Sequence, residues 1–235
     1  MLPTSLLSNS TVTTAAGAVA LLLVALIVLS TLGALVTFTI VVIANRADPD
    51  PTGKRPLSAY LFGGSFLTLW ITFAAIVALA FTLIGVLGSH SNDPSSHAIN
   101  AYSDSVIRSL VLGTIVAGIA GYAYLIHRKR GIALAESDED PSSPSRRVLR
   151  GYAAAVSLIS TVLVILGSIA ALYEVFQLIA PGVFMASGSR VDTVKSLLDE
   201  LVVVLLAAGV FRSHQALVPA EHRLFAGLHQ TPTAD

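Results

Sequence analysis

Residues 57–87 read LSAYLFGGSFLTLWITFAAIVALAFTLIGVL, an unbroken run without Lys, Arg, Asp, Glu or His. A helix rises about 1.5 Å per residue, so roughly 20 apolar residues cross a hydrocarbon layer about 30 Å thick. The run exceeds that length, and nothing in it alternates with the period of two that marks a barrel strand. Backbone polar groups in lipid must be satisfied within their own segment, so the stretch predicts a membrane-spanning helix.

Four further stretches read the same way: Ala15–Ala44, Ser105–Ile126, Val148–Ile179 and Thr193–Phe211. Of the 235 residues 54% are apolar and 12% charged, with no net charge. Soluble domains carry about 25% charged residues, and the mean hydropathy of +0.78 points away from them as well. The predicted fold is an all-α integral membrane protein with five transmembrane helices. Nucleic-acid binding has no basic excess behind it. The absence of cysteine excludes disulfides, thiolate metal sites and a Cys nucleophile. Met1 to Thr14 holds no Lys or Arg, so the first run is read as a retained helix, not a cleaved signal.

Orientation follows the positive charges. Arg46, Lys54 and Arg55 follow the first run. Arg128, Lys129, Arg130, Arg146, Arg147 and Arg150 lie between the third and fourth, and Arg212 and Arg223 come after the fifth. The opposite loops hold Arg190, with Arg108 and Lys195 at helix starts. The expectation is a bacterial cytoplasmic membrane, the N-terminus outside and the C-terminus inside. Residues 131–145, GIALAESDEDPSSPS, are acidic and rich in Ser and Pro, and read as a flexible cytoplasmic linker.

The chain also repeats itself. At an offset of 92, Arg55, Leu57, Tyr60 and Ser65 match Arg147, Leu149, Tyr152 and Ser157. At an offset of 87, Arg108, Ser109, Leu110, Val116 and Ala120 match Lys195, Ser196, Leu197, Val203 and Ala207, and Tyr124-x-x-His127 matches Phe211-x-x-His214. Two hairpins of equal orientation result, so the expected core is a four-helix bundle of parallel-repeated hairpins, face to face about a pseudo-two-fold axis along the membrane normal. The organisation is then 1–53, a peripheral first helix and loop; 54–130, the first hairpin; 131–145, the linker; 146–215, the second hairpin; and 216–235, a tail with a short helix near Glu221 to Leu228.

Units that open on basic-x-Leu-x-x-Tyr and close on aromatic-x-x-His resemble a family of small bacterial membrane proteins classed as a domain of unknown function. The resemblance covers Lys54 to Gln215 as two tandem copies. It implies paired transmembrane helices and no activity. Arg128 and Gln215 stand where that family has an aromatic residue after the His.

Gly113, Ala117 and Gly121 on the third run, and Ser157, Ser160, Gly167 and Ala171 on the fourth, form small-residue stripes that let helix backbones approach closely. They are read as internal packing, with an oligomer contact as the alternative. Trp70 is read as core or lipid-facing bulk, and Tyr60 and Tyr152 as members of the interfacial aromatic belt.

Ionisable side chains at membrane depth are candidates for function. Glu174, Asp199 and Glu200 fall near the outer end of the second hairpin, close in depth to Arg108 and Lys195. The readings are a structural ion pair of Glu174 or Asp199 with Arg108, a proton or cation site of mutually perturbed carboxylates, or a wet outer vestibule. No His joins them, so no transition-metal site is expected. His127 and His214 are repeat-equivalent. They read as helix-end residues at the interface, or as the axial ligands of a haem b or part of a quinone module. No P-loop, G-x-S-x-G or H-E-x-x-H motif is present. The leading expectation is therefore a non-enzymatic structural or accessory subunit, partnered by the bilayer and by other membrane subunits or its own copies. A small proton or cation transporter is the alternative.

Overall fold

The computed structural model describes residues 35, 39, 50, 53–87, 96–138, 140, 142–184 and 189–217. The first run, apart from Leu35 and Thr39, and the short tail helix lie outside them. The described residues form four helices and no strand: α1 (Arg55–Val86), α2 (Ser96–Glu136), α3 (Pro144–Ile179) and α4 (Arg190–Gln215). Helices α1 and α3, and α2 over Val106–Glu136, are long and apolar enough to cross a membrane. Helix α4 forms as the fifth run predicts, but it carries Asp192, Lys195, Asp199 and Glu200 and is less apolar.

Helix starts follow local chemistry. Pro56 and Pro144 occupy the first turns of α1 and α3, where a missing N–H costs nothing. Ser143 caps α3 by accepting from the Arg146 N–H, and Ser189 and Asp192 form a reciprocal capping box on α4. Within the apolar helices the Thr hydroxyls bond back to their own backbone. Thr68 donates to the Gly64 carbonyl at 2.7 Å, and Thr72 to that of Thr68 at 2.7 Å. A polar side chain thereby survives in an apolar surrounding.

Helices α1 and α2 pack along their length as one hairpin, and α3 and α4 as a second. The small residues expected as packing stripes sit inside these hairpins. A Cβ on Gly113 would meet the Leu79 side chain at 2.8 Å, one on Gly121 the Thr72 methyl at 3.5 Å, and one on Gly167 the Val204 side chain at 2.8 Å. Ser160 is buried with its hydroxyl on the Val156 carbonyl, and Ala117 is half-buried.

The hairpins meet through Phe62, Phe66 and Leu69 of α1 against Val148, Tyr152, Ala155, Val156, Ile159 and Leu163 of α3, with Ala207 of α4. This corrects the expected face-to-face arrangement. At the offset of 92 the α3 contact positions Tyr152, Ala155, Val156, Ile159 and Leu163 correspond to 60, 63, 64, 67 and 71. On a helix of 3.6 residues per turn that is nearly the opposite face from Phe62, Ser65, Phe66 and Leu69. A two-fold would set one face against its own equivalent. Side-chain volume gives the reason: the bulky Phe62 and Phe66 fill space over the small Ala155 and Val156, whereas their own equivalents are Ala154 and Leu158.

Residues 131–145 are a second correction. Gly131 to Glu136 continue α2, so Arg128–Arg130 lie within a helix and not in a loop. Beyond the helix, Asp138 and Ser145 are tied down. Asp138 pairs with Lys54 at 2.5 Å and accepts a short hydrogen bond from Ser145. Arg146 donates to the Asp138 carbonyl at 2.8 Å and the Ala135 carbonyl at 3.2 Å, and Ala135 is 1% exposed. The Lys54 ammonium and the Ser145 hydroxyl hold the Asp138 carboxyl below the ordinary aspartate value of 3.8. A depressed folded-state value stabilises above the unfolded value, and that stability is lost as pH falls through the folded one. Hydrogen exchange, corrected for intrinsic rate, should show the amides of Ser137, Asp138, Ser143, Arg146 and Arg147 protected at neutral pH and losing protection only below pH 3.8. Asp138→Asn should remove most of that protection at every pH.

Candidate functional site

At the basic end of the bundle, where Arg128, Arg146 and Arg212 gather, one polar side chain from each helix meets in the core. His214 of α4 and Tyr152 of α3 are 0% exposed, as is Ser65 of α1, and Tyr124 of α2 is half-buried. The direction of the bonds follows from one acceptor. The Val210 carbonyl, 2.8 Å from His214 Nδ1, can only accept, so Nδ1 carries the proton and Nε2 presents a lone pair. Tyr152 donates its hydroxyl to Nε2 at 2.9 Å, and Ser65 can then donate to the Tyr152 oxygen at 3.1 Å. The Tyr124 hydroxyl stands 3.5 Å from the same Nε2. Phe62 lies over the Tyr152 ring, with centroids 5.2 Å apart.

The first hairpin contains the corresponding pair in the same geometry. Tyr60 and His127 have ring centroids 5.7 Å apart at 60°, against 5.4 Å at 64° for Tyr152 and His214. His127 Nδ1 donates to the Ala123 carbonyl at 2.7 Å, again four residues back. The His127 ring occupies the space a side chain would need at Gly64, where a Cβ would come within 2.8 Å of it. Burial separates the two pairs: Tyr60 is 65% exposed.

His214 lies in the last turn of α4, as the helix-end reading expects, and both it and Tyr152 are buried. They are the centre of the contact between the hairpins, and with both His214 ring nitrogens in use this arrangement leaves no lone pair for an axial haem bond. The repeat alignment singled out Tyr152 and His214, and also Ser65. It did not indicate that they meet, nor that Tyr124 joins them.

The carboxylates gather on the second hairpin. Glu200 is within electrostatic reach of Asp199 and Glu174, and its carboxylate lies beside Gly167. Asp199 Oδ1 is buried without a hydrogen-bond partner. The expected ion pair does not form: Arg108 is exposed, and among the described residues nothing joins it to Glu174 or Asp199. Lys195 donates instead to the Gly85 carbonyl at 3.0 Å, tying α4 to the end of α1. Among the described residues no group of three His, Asp or Glu side chains could hold a metal ion.

Removing the Tyr152 hydroxyl leaves Ser65 and His214 facing an apolar gap, and a buried polar group without its partner costs about 1–3 kcal/mol. Tyr152→Phe should destabilise the detergent-solubilised protein by about that amount, while Tyr60→Phe should leave it nearly unchanged. Reversible unfolding of the two variants side by side measures the difference.

A comparison of the chain with models of known protein families, with curated proteins and with solved structures finds no match.

Proposed function

We propose that the chain is a five-helix protein of a bacterial inner membrane, its N-terminus outside and its C-terminus in the cytoplasm. In this reading it has no enzymatic activity and serves as a structural or accessory subunit of a membrane assembly or as a self-associating scaffold. The observation that carries the reading is the use made of the buried polar groups. Ser65, Tyr152 and His214 turn their hydrogen-bonding capacity on one another and on the Val210 carbonyl, and the Ser65–Tyr152 bond fixes one hairpin on the other. The apolar faces outside that contact, such as Ile107, Val111, Ile115 and Ile119 on α2, are exposed in the single chain and suit lipid or other membrane helices. The matching Tyr–His geometries of the two hairpins support an origin by duplication. At 26 residues α4 has the length, roughly 39 Å, to cross beside α3.

A second reading, a small proton or cation transporter, draws on the buried, unpartnered Asp199 oxygen and the proximity of Glu174 and Glu200. Carboxylates this close at low dielectric share protons.

Native mass spectrometry of the protein extracted from its own membrane tests the first reading. Stoichiometric further subunits or a homo-oligomer are expected, and a bare monomer that conducts ions overturns it. In proteoliposomes, pH-driven flux by the wild type that Glu174→Gln abolishes establishes the second reading. No flux in the wild type rejects it.

A further inference from the structure

The contact between the hairpins leaves two faces unfilled, and they complement each other. In the first hairpin the face equivalent to the buried one of α3 is Tyr60, Gly63, Gly64, Leu67 and Ile71. Tyr60, Leu67 and Ile71 are exposed, and a Cβ on Gly63 would meet nothing within 4 Å. In the second hairpin the face equivalent to Phe62, Ser65, Phe66 and Leu69 is Ala154, Ser157, Leu158 and Thr161. Ala154, Leu158 and Thr161 are exposed and Ser157 is half-buried. The chain thus carries the polar part of the interface twice, Ser65 with Tyr152 and Ser157 with Tyr60, and among the described residues pairs it once. A contact in which front meets back does not close on itself, and unpaired front and back faces accept further copies in a row or ring.

We infer that copies of this chain associate head to tail. The Ala154–Ser157–Leu158 face of one copy packs on the Tyr60–Gly63–Leu67 face of the next, continuing the contact that joins the two hairpins within each chain. The register follows from contacts already in place. Ser65 and Phe62 meet Tyr152 within the chain, so at the offset of 92 Ser157 and Ala154 of one copy meet Tyr60 of its neighbour. Ser157 supplies the hydroxyl for Tyr60 that Ser65 supplies for Tyr152. At the offset of 87 Phe211 stands over His127 as Tyr124 stands over His214, without the hydroxyl. The small side chains on both faces allow the close backbone approach that drives helix association in lipid. This inference rests on the self-associating form of the function proposed above and specifies its geometry.

The chain has no cysteine, which makes the test direct. A side chain as long as Tyr can hold two backbones too far apart for a disulfide, so a flexible bis-maleimide is the cross-linker of choice. Bis-maleimide treatment of native membranes should convert the double variant Tyr60→Cys/Ser157→Cys, and likewise Tyr60→Cys/Ala154→Cys, into a ladder of dimers, trimers and larger species. Each single variant should give no ladder and serves as the folding control through its unfolding midpoint. Dimers from Tyr60→Cys alone would mean a two-fold contact and overturn the inference. So would a folded double variant that stays monomeric, its face covered by lipid or by the 15–44 segment, or one that cross-links only within the chain. Neither failure touches the proposed function, because a partner subunit or a two-fold dimer seen by mass spectrometry would leave that reading standing.

Discussion

The structure depends on one requirement: a hydrogen-bonding group removed from water must find a partner inside the protein. His214 makes that requirement directional. Because its Nδ1–H is committed to the carbonyl of Val210, its Nε2 accepts and needs a donor from the neighbouring helix of its own hairpin. Tyr152 is that donor, which leaves its own oxygen to Ser65 of the other hairpin. Apolar side chains would not define the arrangement so well. Lipid tails solvate Leu and Phe about as well as other side chains do, so apolar packing alone specifies register weakly in a membrane. A displacement of α1 along α3 by one turn would keep much of the apolar contact but pull Ser65 off the Tyr152 oxygen. The clasp therefore selects the register.

The same pair in two surroundings separates what local sequence decides from what packing decides. Tyr60 with His127, and Tyr152 with His214, take nearly the same ring geometry and the same bond to a carbonyl four residues back. That much is local to each hairpin. Which pair becomes buried is decided by bulk elsewhere: Phe62 and Phe66 project from the face of α1 that meets α3, and Ala154 and Leu158 stand at the corresponding positions of α3. The asymmetry of the molecule lies in those positions, away from the Tyr–His pair itself.

The same distinction explains how much could be read from the sequence. Four helices at the expected places, and three of membrane length, follow from long uncharged runs, because burying the backbone in lipid leaves few alternatives. The pairing of α1 with α2 and of α3 with α4 follows from short connections. The relation between the hairpins did not follow, since a repeat aligns positions and is silent about which face meets which. The segment 131–145 was misread on composition. Its polar residues are those that cap helices and accept from Lys and Arg: Ser143 before Pro144 is a helix-start signal, and Asp138 has Lys54 and Ser145 within reach. The carboxylates lie on one hairpin, and Arg108, close to them in depth, is not paired with Glu174 or Asp199 among the described residues. Depth fixes position along a helix and leaves the direction around it open.

The two ends of the molecule consequently differ in stiffness. At the basic end the four-helix clasp, the Lys54–Asp138 pair and the bonds from Arg146 cross between elements within a short distance of one another. At the far end the hairpins are linked by Lys195 on the Gly85 carbonyl. Bonds concentrated at one end make that end the pivot of any relative movement of the hairpins, with the largest displacement at the other. Glu174, Asp199 and Glu200 all belong to the second hairpin and would move together, so their mutual spacing persists while their distance to Arg108 and α2 changes. An ion pair across the hairpins would oppose such movement. Among the described residues none forms, which leaves the two hairpins joined chiefly where Ser65 meets Tyr152.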